Sequence, residues 1–599
     1  MSKHSISVPM SYGPAIHIDD SLVKREEDIA EALKNNGEET EEYSELDHID
    51  KVFKAVKSYG PYQMFFFATC QLMSISNAMS MVAGFFKLGN LIPTYTCNDD
   101  KYNWTLTPSE VKKNSTMACE MITACNSLTS TNFWYSMYEE YNWVCSESQH
   151  FLATFQSLLP IGVFCGFMIS GHMSDYFGRK WILIVGETYS TLSGIACALI
   201  PNFTVYLVFT AVGSLIGPIS AAASFSLIVE SVNPKYRLIQ GFSFQFSLGL
   251  MAAGALASLA GNWRIHLLIS NIIGIPAILM MLKLEESPRF LLQKSRFKEA
   301  ADALTRIAKF NGFKDVEFTI EQMEKIESNN KRIQRRSLQK LDNLKKYTIK
   351  DLFANWKMTK YAISQILTGI TMNVVNDVLF FNIQDLSGSP FLNTFLMGAL
   401  RLWTPFAAIA LENGTQTVGR RKLLVLSQGT VFLLFSFMFT VDLFNLDASM
   451  RTAGTIAAII GYTLESGIVW TAYKLYTTEL FPTCIRSIAL STFSCTSLIG
   501  SIITPQLVYL AKYWHPIPYF EAVLTSGLSC IFAIMFLPET RFIALPENIH
   551  QATNRKVLYK ETGLRTFSKI NKDRRSSTNL SISVNDFEEY KTILEPIKE

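Results

Sequence analysis

Apolar residues fall along this chain in blocks of about 20, the length that carries a helix across about 30 Å of hydrocarbon. Twelve blocks are predicted to cross a membrane. They lie near Phe65–Phe86, Phe151–Ile169, Trp181–Ile200, Val205–Val229, Ile239–Ala260, Ile265–Leu284, Tyr361–Phe381, Phe391–Leu411, Leu423–Val441, Gly454–Thr477, Ile488–Leu510 and Tyr519–Leu537. Most are interrupted by Gly, Ser, Pro or Asn, which suits helices packed closely around a cavity. Between them the pattern predicts a polar N-terminal segment (1–60), a first half (61–285) with a long loop (87–150), a central link (286–360), a second half (361–540) and a solvated tail (541–599).

Composition agrees with this pattern. Of 599 residues, 49% are hydrophobic and 18% charged, too few charges for a soluble chain of this length to surface several domains. Residues Met1 to Asp50 are polar and acidic, with no apolar core of a cleavable leader, so the first membrane helix is expected to direct insertion. The net charge of +3 matters less than its placement. Links after even-numbered blocks carry Arg179–Lys180, Lys235 with Arg237, Arg420–Arg421–Lys422 and Arg486, and the central link is dense in Lys and Arg. Positive loops stay in the cytoplasm, and an even number of crossings returns the chain to its starting side. Both termini are therefore expected in the cytoplasm of a multi-pass plasma-membrane protein.

The long loop, on the opposite face, holds Cys97, Cys119, Cys125 and Cys145, an even set that predicts two disulfides in any of three pairings. Free thiols are the plainer alternative. Asn103-Trp-Thr and Asn114-Ser-Thr are glycosylation acceptors on the same loop.

Three pairs of motifs repeat six blocks apart. Gly171-His-Met-Ser-Asp175-Tyr-Phe-Gly178-Arg179-Lys follows the second block, and Gln416-Thr-Val-Gly-Arg420-Arg-Lys follows the eighth. Glu230 and Arg237 close the fourth with the same seven-residue spacing as Glu479 and Arg486 at the tenth. Glu286-Ser-Pro-Arg289-Phe ends the sixth, and Pro538-Glu539-Thr-Arg-Phe ends the twelfth. Such pairing implies a duplicated six-helix unit. Acids favour helix N-termini and arginines bridge carboxylates, so these groups are expected to form a cytoplasmic gate whose ties between halves break as the inner mouth opens. Simple positive-inside topology would explain the basic residues, but not the matched Glu–Arg spacing.

These residues resemble the organic cation/anion/carnitine transporter family of the major facilitator superfamily. More specific than the first repeat motif are Gly60-Pro-Tyr-Gln63, Trp143-Val-Cys145 at the end of the cysteine loop, Glu286-Ser-Pro-Arg-Phe-Leu291, Tyr476-Thr-Thr-Glu-Leu-Phe-Pro-Thr483 and Leu537-Pro-Glu-Thr540. The likeness covers His48 to Asn548 and implies an all-α membrane protein with the major facilitator fold, twelve helices in two six-helix halves. The chain departs from the pattern where Gln416 replaces an Asp, where Tyr176 follows Asp175, and where the fourth block lacks any Arg or Lys. At Leu498 the resemblance implies a residue that reports solute charge, Asp in cation carriers and Arg in anion or carnitine carriers; leucine reports neither.

Charged residues inside membrane blocks are costly and mark function or pairing. Asp377, Arg401, Glu465 and Lys474 stand out. The acids suit an organic cation, the bases an anion, and an internal pair of Arg401 with Asp377 or Glu465 is the structural alternative. Lys474 lies near a block end, where it can reach toward water. Trp403, Trp470, Tyr473 and Tyr476 offer aromatic faces to an ammonium group, or simply pack.

The function expected is alternating-access transport of small organic ions, cations favoured, with organic anions, carnitine-like zwitterions, a sugar of the same superfamily, or a non-transporting sensor as alternatives. A Gln-Gln pair expected of sugar carriers is missing from Gln365 to Phe381. No phosphate loop, spaced His/Cys cluster or nucleophile elbow is present, which argues against an enzyme, a cofactor, a metal site or ATP drive. The partners expected are the solute and the bilayer, not nucleic acid.

Overall fold

The computed structural model describes residues 61–88, 92–99, 103–132, 134–141, 143–144, 146–231, 244–314, 316–339, 348–414, 419–482 and 485–540, with isolated positions at 49, 52–53, 56–57, 59–60 and 546. Arg237, Gln416 and Cys145 lie outside them.

Twelve long helical runs cross the described residues in the predicted order: α1 Pro61–Leu88, α2 Ser146–Phe177, α3 Arg179–Leu199, α4 Phe203–Ser231, α5 Phe244–Ala260, α6 in two segments (Trp263–Ile272 and Gly274–Leu282), α7 Trp356–Phe381, α8 Pro390–Gly414, α9 Arg420–Leu443, α10 from Ala448 to Leu480, α11 Arg486–Leu510 and α12 Ile517–Phe536. Ten are long and apolar enough to span a bilayer; α5 contributes a shorter apolar segment, Phe246–Ala260, and α8 has 25 residues. Their lipid-side leucines, such as Leu259 and Leu192, stay exposed, because hydrocarbon rather than water is to cover them.

By contact density the chain forms two units, one of Met1–Gly60 with Pro288–Asp342, the other of Pro61–Ser287 with Asn343–Glu599. In the first, described positions just before α1 pack on the central link. Helix Phe297–Phe310 buries Ala300, Leu304 and Ile307, as a helix with one apolar stripe must. Asn311 donates from Nδ2 to the Val56 carbonyl at 2.9 Å, and Arg289 stands 5.7 Å over the Phe53 ring. A side chain at Gly60 would meet the Asn311 amide at 2.5 Å, which accounts for glycine at that motif position.

In the second unit the long loop is a small domain. Strand β1 (Thr94–Asn98) lies between β2 (Asn103–Leu106) and β3 (Leu128–Thr131), antiparallel to both. Cys97 bonds Cys125 across 6.2 Å of Cα separation. Cys119 is disulfide-bonded too, to a residue outside the described ones. The Cys97–Cys125 bond is one of those that the even cysteine set of the loop allows. Asn103 and Asn114 are exposed, and the Asn114 side chain caps helix Ser115–Thr123 by accepting from the Met117 N–H at 3.3 Å.

Candidate functional site

The repeated motifs fold into the same device twice. In the first half Gly178, at φ +96°, turns the chain from α2 into α3, and the Glu286 carboxylate sits on the new helix N-terminus. It accepts from the N–H groups of Arg179 (3.2 Å), Lys180 (3.2 Å) and Ser287 (3.0 Å). An anion there meets both the unpaired N–H groups and the positive end of the helix dipole. Burial still pushes the Glu286 carboxyl pKa up, against the pull of those donors. In the second half Glu539 does the same for α9, accepting from Arg420 (2.8 Å), Arg421 (3.3 Å) and Thr540 (3.0 Å). Buried Arg179 then bridges Asp175 at 2.9 Å and Glu230 at 3.4 Å, while Arg420 pairs with Glu479. Gly171 has open space around it.

These described pairs all join residues of one half. The expected ties between halves belong to a state with the inner mouth closed; in the pairs named here each acid lies at the end of a helix adjacent to its own arginine turn. Arg289 stands over the Phe53 ring, both in the first unit. Arg486 approaches Glu479 electrostatically but leaves Nε and Nη2 buried without a partner among the described residues. A methyl group at Gly419 would overlap the Glu539 carboxylate. Gly419→Ala is therefore expected to expel that cap and cost about 0.5–2 kcal/mol, read as a lower Tm of the purified protein, with Gly171→Ala as the unaffected control.

Deeper, the four membrane charges separate by sign. Both acids are buried and tied to amides. Asn376 donates to Asp377 at 3.0 Å, and Gln428 donates to both Glu465 oxygens at 2.9 and 3.2 Å. Glu465 lies on one π-helical turn, Leu464–Val469, inserted into α10, where Gly467 lets α8 approach so closely that a Cβ would overlap Thr404. The bases instead stand over rings. The Arg401 guanidinium is 4.3 Å from the Phe246 centroid of α5, and Lys474 is 4.4 Å from Trp470, one turn back on α10. Arg401 and Lys474 sense each other's charge, and Tyr462 lies within electrostatic reach of both Arg401 and Asp377.

The internal ion pair that was the structural alternative for Arg401 is absent among the described residues: neither Asp377 nor Glu465 pairs with it. The Trp470 face offered to an ammonium solute is covered by Lys474. Trp403 is 68% exposed beside Phe406, Tyr473 is buried against Gly369, Tyr476 donates to the Pro538 carbonyl, and Leu498 is half-buried. Two further buried acids were overlooked in the sequence although both interrupt apolar runs. Glu187 of α3 is held by Asn77 (3.3 Å) and Ser220 (3.1 Å), and Glu521 of α12 by Thr504 (3.2 Å). Glu187 lies eight residues after Arg179, as Gln428 lies eight after Arg420, so the repeat places a polar side chain at one depth in both halves.

A profile of the family described as "Sugar (and other) transporter" matches residues 115–552. The chain belongs to that transporter family. Within it, human organic cation/carnitine transporter 2 is 30% identical over 423 residues, 69% of this chain and 71% of that one. Mouse solute carrier family 22 member 4 is 28% identical, over 74% of this chain and 76% of its own. The resemblance carried by the motifs is thus correct: this is a divergent member of the organic cation/anion/carnitine branch. The inward-open xylose transporter XylE from E. coli matches with a TM-score of 0.54 at 14% identity, over 80% of this chain and 97% of its own, a likeness of fold. As a family member the chain is a multi-pass membrane transporter of a small solute.

Proposed function

We propose that this transporter carries small organic ions across the plasma membrane by alternating access, with both termini in the cytoplasm. Among organic cations, those that also bear a carboxylate, the carnitine-like zwitterions, fit best. What carries this reading is that Arg401 and Lys474, within reach of each other's charge, meet no carboxylate among the described residues. An unpaired charge within a membrane span is expensive, and two like charges within reach of each other are more so, unless an anionic group arrives between them. The ammonium centre is assigned to the buried acids Asp377 of α7 and Glu465 of α10. Arg179, Glu230 and Glu286, with Arg420, Glu479 and Glu539, serve the cytoplasmic gate by holding each half rigid, so that the halves rock as bodies. Arg486, half-buried beside Glu479 with two donors unpartnered among the described residues, is the group of this set able to change partners.

A plain organic cation, countered by Asp377 or Glu465, is the second reading; it is favoured by the burial of those acids without a cationic partner among the described residues. Uptake separates the two. Cells expressing the chain are given a carnitine-type zwitterion, a quaternary ammonium ion, a monocarboxylate and a neutral control, at two membrane potentials. Preferred entry of the zwitterion supports the first reading; entry of the quaternary ammonium alone, rising with inside-negative potential, supports the second. For the gate, Arg486→Ala is expected to slow turnover about tenfold at unchanged surface level, consistent with loss of one charge-assisted contact in one of two states. Unchanged uptake kinetics would remove Arg486 from the gate.

A further inference from the structure

The cysteine loop is fastened to both halves, by bonds of unequal strength. To the first half it is fixed by charge. The Glu140 carboxylate accepts from Trp263 Nε1 at 2.8 Å and from Arg264 Nε at 3.1 Å, both at the start of α6. The backbone of Tyr135 adds bonds to the Gly261 carbonyl (2.9 Å) and from the Trp263 N–H (3.0 Å). To the second half a neutral side chain holds it. Gln384, in the turn after α7, accepts the Ile92 N–H through Oε1 at 3.1 Å and donates through Nε2 to the Ile92 carbonyl at 3.3 Å. A carboxamide carries an acceptor and a donor side by side, so it can satisfy both polar groups of one residue at once, as a neighbouring strand would. Around this clamp, Ile92, Tyr95 and Trp134 of the loop share a buried core with Ile383, Leu386 and Phe391, and Trp134 meets Phe391 at 5.7 Å.

We infer that Gln384 is the latch of the loop face: it clamps the Ile92 backbone to the second half while that face is closed, and must release it each time the face opens. The inference rests on the alternating-access reading. Charge-assisted bonds oblige the loop to travel with the first half, so rocking must part the contact with the second half, where the Gln384 bonds are neutral and the rest of the described contact is apolar surface. The described contacts that surround the latch also join the halves on this face. Gln506 donates to Ser157 at 3.3 Å between α11 and α2, and His150 meets Tyr509 at 5.3 Å. Gln384 touches no solute in this account; it sets how often the loop face opens.

The isosteric Gln384→Glu variant tests this in the full-length protein. Its carboxylate keeps an acceptor for the Ile92 N–H but turns an oxygen toward the Ile92 carbonyl, which repels it. A reporter cysteine, Ser157→Cys, placed between α2 and α11 in both parent and variant, is labelled from outside with a membrane-impermeant maleimide, against cysteine background measured without the reporter. The latch predicts labelling about five- to tenfold faster in Gln384→Glu, with a lower apparent KM for outside solute and unchanged surface amount. Equal labelling rates per surface molecule, whether or not expression falls, overturn it, because a merely structural glutamine would alter yield and not opening. A reporter that stays unreactive in both proteins while uptake proceeds contradicts alternating access itself, and the latch with it.

Discussion

Arg264→Ala should remove most of the protein from the cell surface. Its guanidinium is almost fully engaged: Nε and Nη2 serve Glu140, and Nη1 donates to the carbonyls of Ala198 (3.0 Å) and Cys197 (3.3 Å) at the end of α3. Its flat face lies 4.4 Å from the Trp263 ring. Truncation would leave Glu140 with Trp263 as its donor and two helix-end carbonyls bare. Breaking a buried ion pair costs about 3–5 kcal/mol; with both side chains still partly exposed, about 2–4 kcal/mol is expected. That is a large share of the stability of a domain, so the cysteine loop should lose its seat on α6 and the chain should be retained. Surface biotinylation and the Tm of detergent-purified protein measure it. Arg264→Lys, which keeps the charge but not the fork, should recover part of the loss. Normal surface level and Tm in Arg264→Ala would show that the loop is seated by its apolar core alone.

Arg401→Gln should do the reverse, leaving the fold intact and transport poor. Because no carboxylate in the described structure depends on Arg401, removing its charge orphans nothing, and glutamine retains bulk against Phe246. What is lost is a charge-assisted bond to the anionic end of the solute, worth about 1.5–3 kcal/mol, or about 10- to 100-fold in KM for a carboxylate-bearing ion. The same variant should affect a quaternary ammonium without a carboxylate by less than about threefold, since relieving one positive charge does not hinder a cation. Dose–response curves for the two solutes, normalised to surface protein, decide it. Equal losses for both would mean that Arg401 supports α8 against α5 and does not touch solute.

The helical frame was legible because hydrocarbon imposes a simple rule: each crossing needs its length in apolar residues, and each loop shows its side by charge. The duplication was legible for a related reason. Glu–Arg spacing at helix ends survives in sequence, and in the structure Glu286 and Glu539 occupy equivalent caps. Partners were less legible. Nothing in the spacing of Arg179, Glu230 and Glu286 says whether they bond within a half or across halves; that depends on which helix ends adjoin. Nor could the positions of Asp377 and Glu465 reveal that amides on Asn376 and Gln428 had claimed them, leaving Arg401 and Lys474 with no carboxylate among the described residues. Gln384 carries no sequence signal at all, because a neutral amide in a turn resembles any solvated residue until the Ile92 backbone is placed against it.

Counterflow in proteoliposomes tests the central claim most directly. Purified protein is reconstituted into vesicles preloaded with an unlabelled carnitine-type zwitterion, diluted into trace labelled zwitterion, with no ion gradient or potential applied. A carrier that exposes one site to each side in turn will accumulate label transiently above equilibrium, and Arg401→Gln vesicles holding equal protein will accumulate far less. Correctly folded protein that yields no overshoot with the zwitterion, but does so with a carboxylate-free ammonium ion in both wild type and Arg401→Gln, would contradict the assignment of Arg401 and Lys474 to the solute.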